Sequence, residues 1–133
     1  MVACTFCKII ANKLPSYKIY EDEHTLCFLT INPISKGHCL IIPKSHSKDI
    51  SSMTEESMRS IGVAAKNVSN LLKKKLKSDG FNILHASGKA AQQSVFHFHL
   101  HLVPRYNKDK LDAWPKSSYK EKSLESTHQK ITK

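Results

Sequence analysis

Three histidines stand at alternate positions in His97-Phe98-His99-Leu100-His101-Leu102-Val103. Side chains alternate between the two faces of a β-strand. A strand here projects all three imidazoles from one face, about 7 Å apart along it. It turns Phe98, Leu100 and Leu102 to the other face, into a core. Imidazoles in a row are costly to desolvate and add little to packing. A lone strand histidine reads as structural; three in alternation read as chemistry. One reading is a metal site, although no carboxylate flanks the strand. The other is chemistry on phosphate, where imidazole serves as nucleophile, acid, base or cationic donor. Gln93 and Ser94 place polar donors just ahead of the strand. His38 lies on another strand of the same predicted sheet, close enough to join the row.

A second pattern is the C-x-x-C pair Cys4 and Cys7. With histidines elsewhere it permits a Cys₂His₂ zinc site; two free reduced thiols are the plain alternative. Cys27 and Cys39 sit in apolar runs and read as small buried core residues. The N-terminus lacks a charged segment followed by an apolar one, so neither a secretory signal nor a disulfide framework is expected.

These residues need elements to hold them. Residues 5–12 read as a short helix closed by Pro15. Residues 17–20, 26–31 and 38–43 read as three strands of a meander. Residues 54–77 carry Met58, Ile61, Ala65, Val68, Leu72 and Leu76 at helical spacing. Thr54 suits the N-cap, and Lys73, Lys74 and Lys75 suit the last turn. Gly80 reads as the C-cap or turn. Residues 81–86 and 95–103 are the fourth and fifth strands, the last ended by Pro104. Residues 107–133 form a polar tail with a short terminal helix, packing on the domain or on a dimer partner. The order β-β-β-α-β-β fits an α+β fold on an antiparallel sheet.

Composition narrows the function. At 133 residues the chain suits one domain. No apolar run approaches the roughly 20 residues that span a bilayer, so no membrane role is expected. The net charge of +10 favours anionic ligands. It is diffuse lysine, with only Arg59 and Arg105 as arginines, and few aromatics accompany it, so a specific nucleic-acid reader is not expected.

The histidine strand resembles the signature of the histidine triad (HIT) superfamily, Hint-like branch. The blocks Phe6-Cys7-Lys8-Ile9-Ile10, Tyr20-Glu21-Asp22-Glu23, Ile31-Asn32-Pro33, Lys36-Gly37-His38 and Ile42-Pro43-Lys44-Ser45-His46 extend the resemblance. So do Gln93-Ser94-Val95-Phe96 and Pro104-Arg105-Tyr106, making residues 1–106 the HIT domain. The resemblance implies a HIT-like fold: a five-stranded antiparallel sheet, a short N-terminal helix, one long central helix, and a cytoplasmic homodimer whose sheet continues across the interface. It implies a nucleotide hydrolase acting on a purine nucleotide or nucleoside phosphoramidate. His99 attacks the α-phosphorus, a nucleotidyl-histidine forms, and water releases the nucleoside monophosphate. His101, His38 and His97 complete the catalytic group. Phe6, Ile9, Phe28, Thr30 and Ile31 line the nucleoside site, and Gln93 and Ser94 face the phosphate. Cys4, Cys7, His46 and His97 match the structural zinc ligands of many bacterial and archaeal members, and no catalytic metal is implied.

Three positions depart from that pattern. Thr30 stands where many relatives have Asp, Ala86 where they have Asn, and Gln92 where a Gly precedes the Gln of the phosphate loop. They predict weakened ribose recognition. They also motivate an alternative, a catalytically weak nucleotide-binding scaffold, beside the closer alternatives of dinucleoside polyphosphate hydrolase and nucleotidyl transferase. His85, next to Ala86, is a candidate for the missing polar contact, against which stands the alternation that turns strand neighbours apart. Trp114 is assigned to the base pocket, the dimer partner or ordinary tail packing; Lys44, Lys89 and Arg105 read chiefly as surface charge.

Overall fold

The computed structural model describes residues 3–133. In chain order it runs α1 (Thr5–Ile10), β1 (Lys18–Glu21), β2 (Thr25–Leu29), β3 (Cys39–Pro43), α2 (Glu55–Leu76), β4 (Gly80–Leu84), β5 (Leu100–Arg105) and α3 (Leu124–Thr132). Short 3₁₀ turns at Ile50–Ser52 and Lys89–Ala91 interrupt the connections. The five strands form one antiparallel sheet in the order β1-β2-β3-β5-β4.

β2 and β3 are apolar along nearly their whole length because both of their faces are covered. Cys27, Cys39 and Ile41 point to one face. There they meet Ile61, Ala64, Val68 and Leu72 of α2, together with Phe98 and Leu102. Leu26, Phe28, Leu40 and Ile42 point to the other face, where Phe6 and Ile9 of α1 close over them. The Cys27 thiol is hydrogen-bonded with Cys39 and buried, and both effects push its pKa up, leaving an inert core sulfur. His101 pairs in register with Leu40 and so faces the α1 side, while Phe98 and Leu102 anchor the α2 side.

α2 is 22 residues long, about 33 Å at the helical rise. The Thr54 hydroxyl accepts from the Ser57 N–H at 3.0 Å, and the three lysines fill the last turn. The expected glycine cap is corrected: Lys77, not Gly80, takes the left-handed C-cap conformation, at φ 58°. Gly80 instead opens β4.

The last strand also differs from expectation. It begins at Leu100 rather than Val95 and continues through Pro104 to Arg105. Pro104 is tolerated because β3 pairs with β5 only as far as Cys39 with Leu102. Beyond that pair no ladder donor is required of it on the β3 side. His97 and His99 therefore lie just ahead of the strand, in irregular backbone.

Arg105 fastens the start of the tail. It donates to both carboxylate oxygens of Asp109, to Asn82 and to the Leu111 carbonyl. Beyond Leu111 the large side chains Trp114, Tyr119, Leu124 and Ile131 are exposed, Trp114 at 82%. Trp114 is thus not packed over the cavity beside α1 within this chain. No helix among the described residues is long and apolar enough to cross a membrane.

Candidate active site

His38 precedes β3 and His101 lies on β5, the strand beside it. Their rings meet with His38 Nε2 3.0 Å from His101 Nδ1. His38 Nδ1 accepts from the Ile34 N–H at 3.2 Å. Neutral His38 therefore carries its proton on Nε2 and donates it to His101 Nδ1. Neutral His101 is left with its own proton on Nε2, as a donor. His99 is fixed by a different device. Its Nδ1–H donates to the His97 carbonyl at 2.8 Å, because a carbonyl can only accept. The lone pair of His99 thus sits on Nε2. The His99 and His101 rings are 5.1 Å apart.

Burial holds these imidazoles below their usual range. Desolvation lowers His38, His97 and His99, and it lowers His101 to about 4, with the neighbouring His99, His38 and His85 adding to the effect. At neutral pH the group is uncharged and His99 Nε2 is an available nucleophile.

His97 faces elsewhere. Its Nε2–H donates to the Pro43 carbonyl at 2.9 Å, which leaves the Nδ1 lone pair toward Cys4, Cys7 and His46. His97 Nδ1 lies 3.4 Å from Cys4 Sγ, 3.6 Å from Cys7 Sγ and 3.1 Å from His46 Nδ1. Cys7 Sγ lies 3.4 Å from His46 Nδ1. The edges of a zinc tetrahedron with two sulfur and two nitrogen ligands measure about 3.3–3.8 Å from the usual bond lengths. Three of the four separations lie in that range and the nitrogen–nitrogen one just under it, so the donors fit zinc, and the carbonyl behind His97 is the usual support for a ligating histidine. Of the three alternating histidines, His99 and His101 lie with their rings 5.1 Å apart, and the first, His97, turns to the Cys4, Cys7 and His46 cluster.

α1 carries the cluster and the adjoining cavity together. An apolar cavity of about 450 Å³ is lined by Phe6, Ile9, Phe28, Leu40, Thr30 and Ile31 among others. Phe6 meets Phe28 edge-on at 5.6 Å and His99 edge-on at 5.2 Å, so the cavity wall abuts the His99 ring. Thr30 and Ile31 lie past the end of β2 rather than within it, and Ile31 forms an outer rim, 90% exposed. The Thr30 hydroxyl oxygen accepts from the Asn32 N–H at 3.2 Å.

Gln93 is buried and its amide is engaged by the loop itself. Its Oε1 accepts from the Gly88 N–H, and its Nε2 donates to the Lys48 and Val95 carbonyls. Sequence reasoning missed this closure; the one available signal was Gly88, whose φ of 88° with ψ of 161° only glycine adopts readily. Gln92 takes the left-handed conformation at φ 68° and exposes its side chain, so the loop keeps a glycine-like backbone there. Ser94 is exposed at a smaller hollow shared with Cys4, Thr5 and His46. Lys44 pairs with Glu21 at 2.8 Å, and Lys89 is exposed on its 3₁₀ turn. His85 Nδ1 lies 3.0 Å from the His99 carbonyl oxygen.

Residues 11–108 match the HIT domain family model. The chain is 44% identical over 105 residues to protein hit of Bacillus subtilis, which is 79% of this chain and 72% of that one. It is 38% identical over 115 residues to the adenosine 5′-monophosphoramidase HNT1 of Saccharomyces cerevisiae, covering 85% and 70% of the two chains. The crystal structure of a zinc-bound histidine triad family protein from Mycobacterium smegmatis superposes with a TM-score of 0.79 at 38% identity, over 96% of this chain and 88% of that one.

Proposed function

The chain belongs to the HIT domain family, and from that premise we propose that it is a nucleotide hydrolase cleaving a phosphoramidate or phosphoanhydride bond at the α-phosphate. The observation that carries this reading is the state of His99. Its Nδ1–H is tied to the His97 carbonyl, and its Nε2 lone pair is free beside an apolar cavity.

In the first step His99 Nε2 attacks the α-phosphorus. A P–N bond forms and the bond to the leaving group breaks with its electron pair; an amine leaves with a proton taken from water, whereas a phosphate leaves as its anion. In the second step water attacks the same phosphorus, the P–N bond breaks, the water's proton returns to solvent, and the nucleoside monophosphate leaves with His99 restored. Dividing one displacement into two lowers each barrier. His101, holding its proton on Nε2, donates to the phosphoryl oxygens or leaving group, and the His38 contact keeps it in that tautomer. A purine sits against the cavity wall that Phe6, Ile9 and Phe28 build, with its ribose toward Thr30. The relative named an adenosine 5′-monophosphoramidase supports this substrate class.

Cys4, Cys7, His46 and His97 would hold zinc, which would there fasten α1 to the backbone that holds His99, a structural contribution. The reading places the protein in the cytoplasm, where reducing conditions keep both thiols able to bind metal. It also includes a homodimer. β4 is an edge strand with Ile83 exposed, and Val63 is exposed on α2. Sedimentation at twice the 15.0 kDa chain mass checks the dimer, and sedimentation at that mass alone rejects it.

The test is single-turnover hydrolysis of adenosine phosphoramidate by the wild type and by His99→Ala. The variant is expected to lose about a thousandfold or more in rate, with AMP affinity kept. Equal, negligible rates in both proteins, with AMP still bound, would favour the scaffold reading that Thr30, Ala86 and Gln92 motivate.

A further inference from the structure

β4 pairs with β5 from Gly80 opposite Arg105 to Leu84 opposite His101. The ladder closes there, before it reaches His99. The chain then leaves the sheet through Ala86 into the loop around Gly88. His85 is the first residue past the end of the strand, and it turns its ring back toward β5. The ring lies against Phe98, with centroids 4.4 Å apart and planes 31° apart. Its Nδ1 is 3.0 Å from the carbonyl oxygen of His99, and its Nε2 is hydrogen-bonded with Ser87 Oγ. Ser87 Oγ in turn accepts from the Ile50 N–H at 2.9 Å.

Donor counting fixes every proton in this chain of contacts. The His99 carbonyl can only accept, so His85 Nδ1 carries the hydrogen. In the neutral ring Nε2 is then a bare lone pair, so it accepts and the Ser87 hydroxyl donates to it. One tautomer of His85 satisfies all partners. The imidazole thus supplies, from a side chain, the donor that the strand's backbone no longer provides at His99.

We propose that His85 is a positioning residue for His99. The nucleophile is gripped twice. The His97 carbonyl holds its ring, and His85 holds its own main-chain carbonyl. Through Ser87 and Ile50 the second grip reaches the loop that closes over Gln93 and the 3₁₀ turn ahead of α2. Small displacements of a reacting group are expensive in rate. The proposal rests on the reading of His99 as nucleophile, and it adds a residue that acts through His99 without touching substrate.

The experiment compares the wild type with His85→Asn, His85→Leu and His85→Gln. Asparagine can place an N–H where Nδ1 stands. Leucine has no donor, and glutamine reaches only toward the Nε2 position. Single-turnover hydrolysis of adenosine phosphoramidate is expected to slow about tenfold in His85→Leu and His85→Gln. AMP affinity should stay within about twofold, and His85→Asn should recover most of the rate. Ring ¹⁵N resonances of His99 should be sharp in the wild type and in His85→Asn, and broadened by motion of the ring in the other two. His85→Gln serves if His85→Leu does not fold. Wild-type rates in both donor-lacking variants, or equal losses in His85→Asn and His85→Leu, would overturn the proposal. Should the wild type form no adduct on His99, the nucleotide-hydrolase reading falls. The ¹⁵N resonances still decide the positioning role: an unchanged His99 ring in His85→Leu and His85→Gln rejects it.

Discussion

The carbonyl of His97 accepts a 2.8 Å hydrogen bond from Nδ1 of His99, while the His97 ring turns away to face Cys4, Cys7 and His46. Backbone and ring of one residue thus serve two sites. Whatever holds the His97 ring also holds the carbonyl that selects the tautomer of His99. Removing the metal with a chelator, or changing Cys7 to Ser, should lower kcat by about tenfold or more while KM moves little. The melting temperature should fall by about 10 °C. Stripped protein that keeps full turnover and the same melting curve would show that the cluster and the nucleophile are independent.

Thr30 borders the apolar cavity with a hydroxyl whose oxygen already accepts from the Asn32 N–H. It can offer a ribose at most a neutral hydrogen bond. A carboxylate would add a charge-assisted one, a difference of about 1.5 kcal/mol, or roughly tenfold. The wild type is therefore expected to turn over ribo- and 2′,3′-dideoxy substrates at comparable kcat/KM. Thr30→Asp should raise the ratio in favour of the ribo substrate about tenfold. Strict dependence of the wild type on both hydroxyls would show that another group binds them.

The elements and their order along the chain were legible because apolar runs, helical spacing and breakers mark them directly; the placing of β5 between β3 and β4, and a core on both faces of the sheet, were not. The pairing of His99 with His101 and the separate duty of His97 follow from spacing plus resemblance. What the spacing could not show is where a strand stops pairing. Pro104 marks a strand end in most settings, but here β5 has already outrun β3, so the missing N–H has no ladder partner to fail. The same blindness hid His85. Alternation turns neighbouring side chains apart only while the strand lasts, and β4 ends one residue earlier, at Leu84. Nor does a local pattern reveal how Gln93 is held: its amide bonds with the nearby Gly88 and Val95 and with the distant Lys48.

Acid should destabilise the protein through the paired imidazoles. An imidazole in the unfolded chain titrates near 6.5, whereas burial lowers His101 to about 4, with His99, His38 and His85 contributing. Between those values the unfolded chain takes up a proton that the folded chain refuses. Stability is therefore full above about pH 6.5 and declines as pH falls toward 4. His38, lowered by its own burial, acts in the same direction. Thermal melts from pH 7.5 to 4.5 should show a steeper decline for the wild type than for His101→Asn. Parallel curves would assign the acid sensitivity to other groups.

Lys77 closes α2 in the left-handed conformation, with its N–H bonded to the Lys73 carbonyl at 3.1 Å. For a residue with a Cβ, that conformation costs roughly 1 kcal/mol relative to glycine. The lysine has little to offer in return. Its side chain is exposed, and Lys73, Lys74 and Lys75 already set positive charge against the helix C-terminus. Removing one more cation beside them lowers like-charge repulsion. Lys77→Gly is therefore expected to raise unfolding stability by about 0.5–1 kcal/mol in urea melts at unchanged m-value, with phosphoramidate turnover unaltered. A loss of stability would mean that the entropy glycine adds to the unfolded chain outweighs the strain it relieves at the end of this helix.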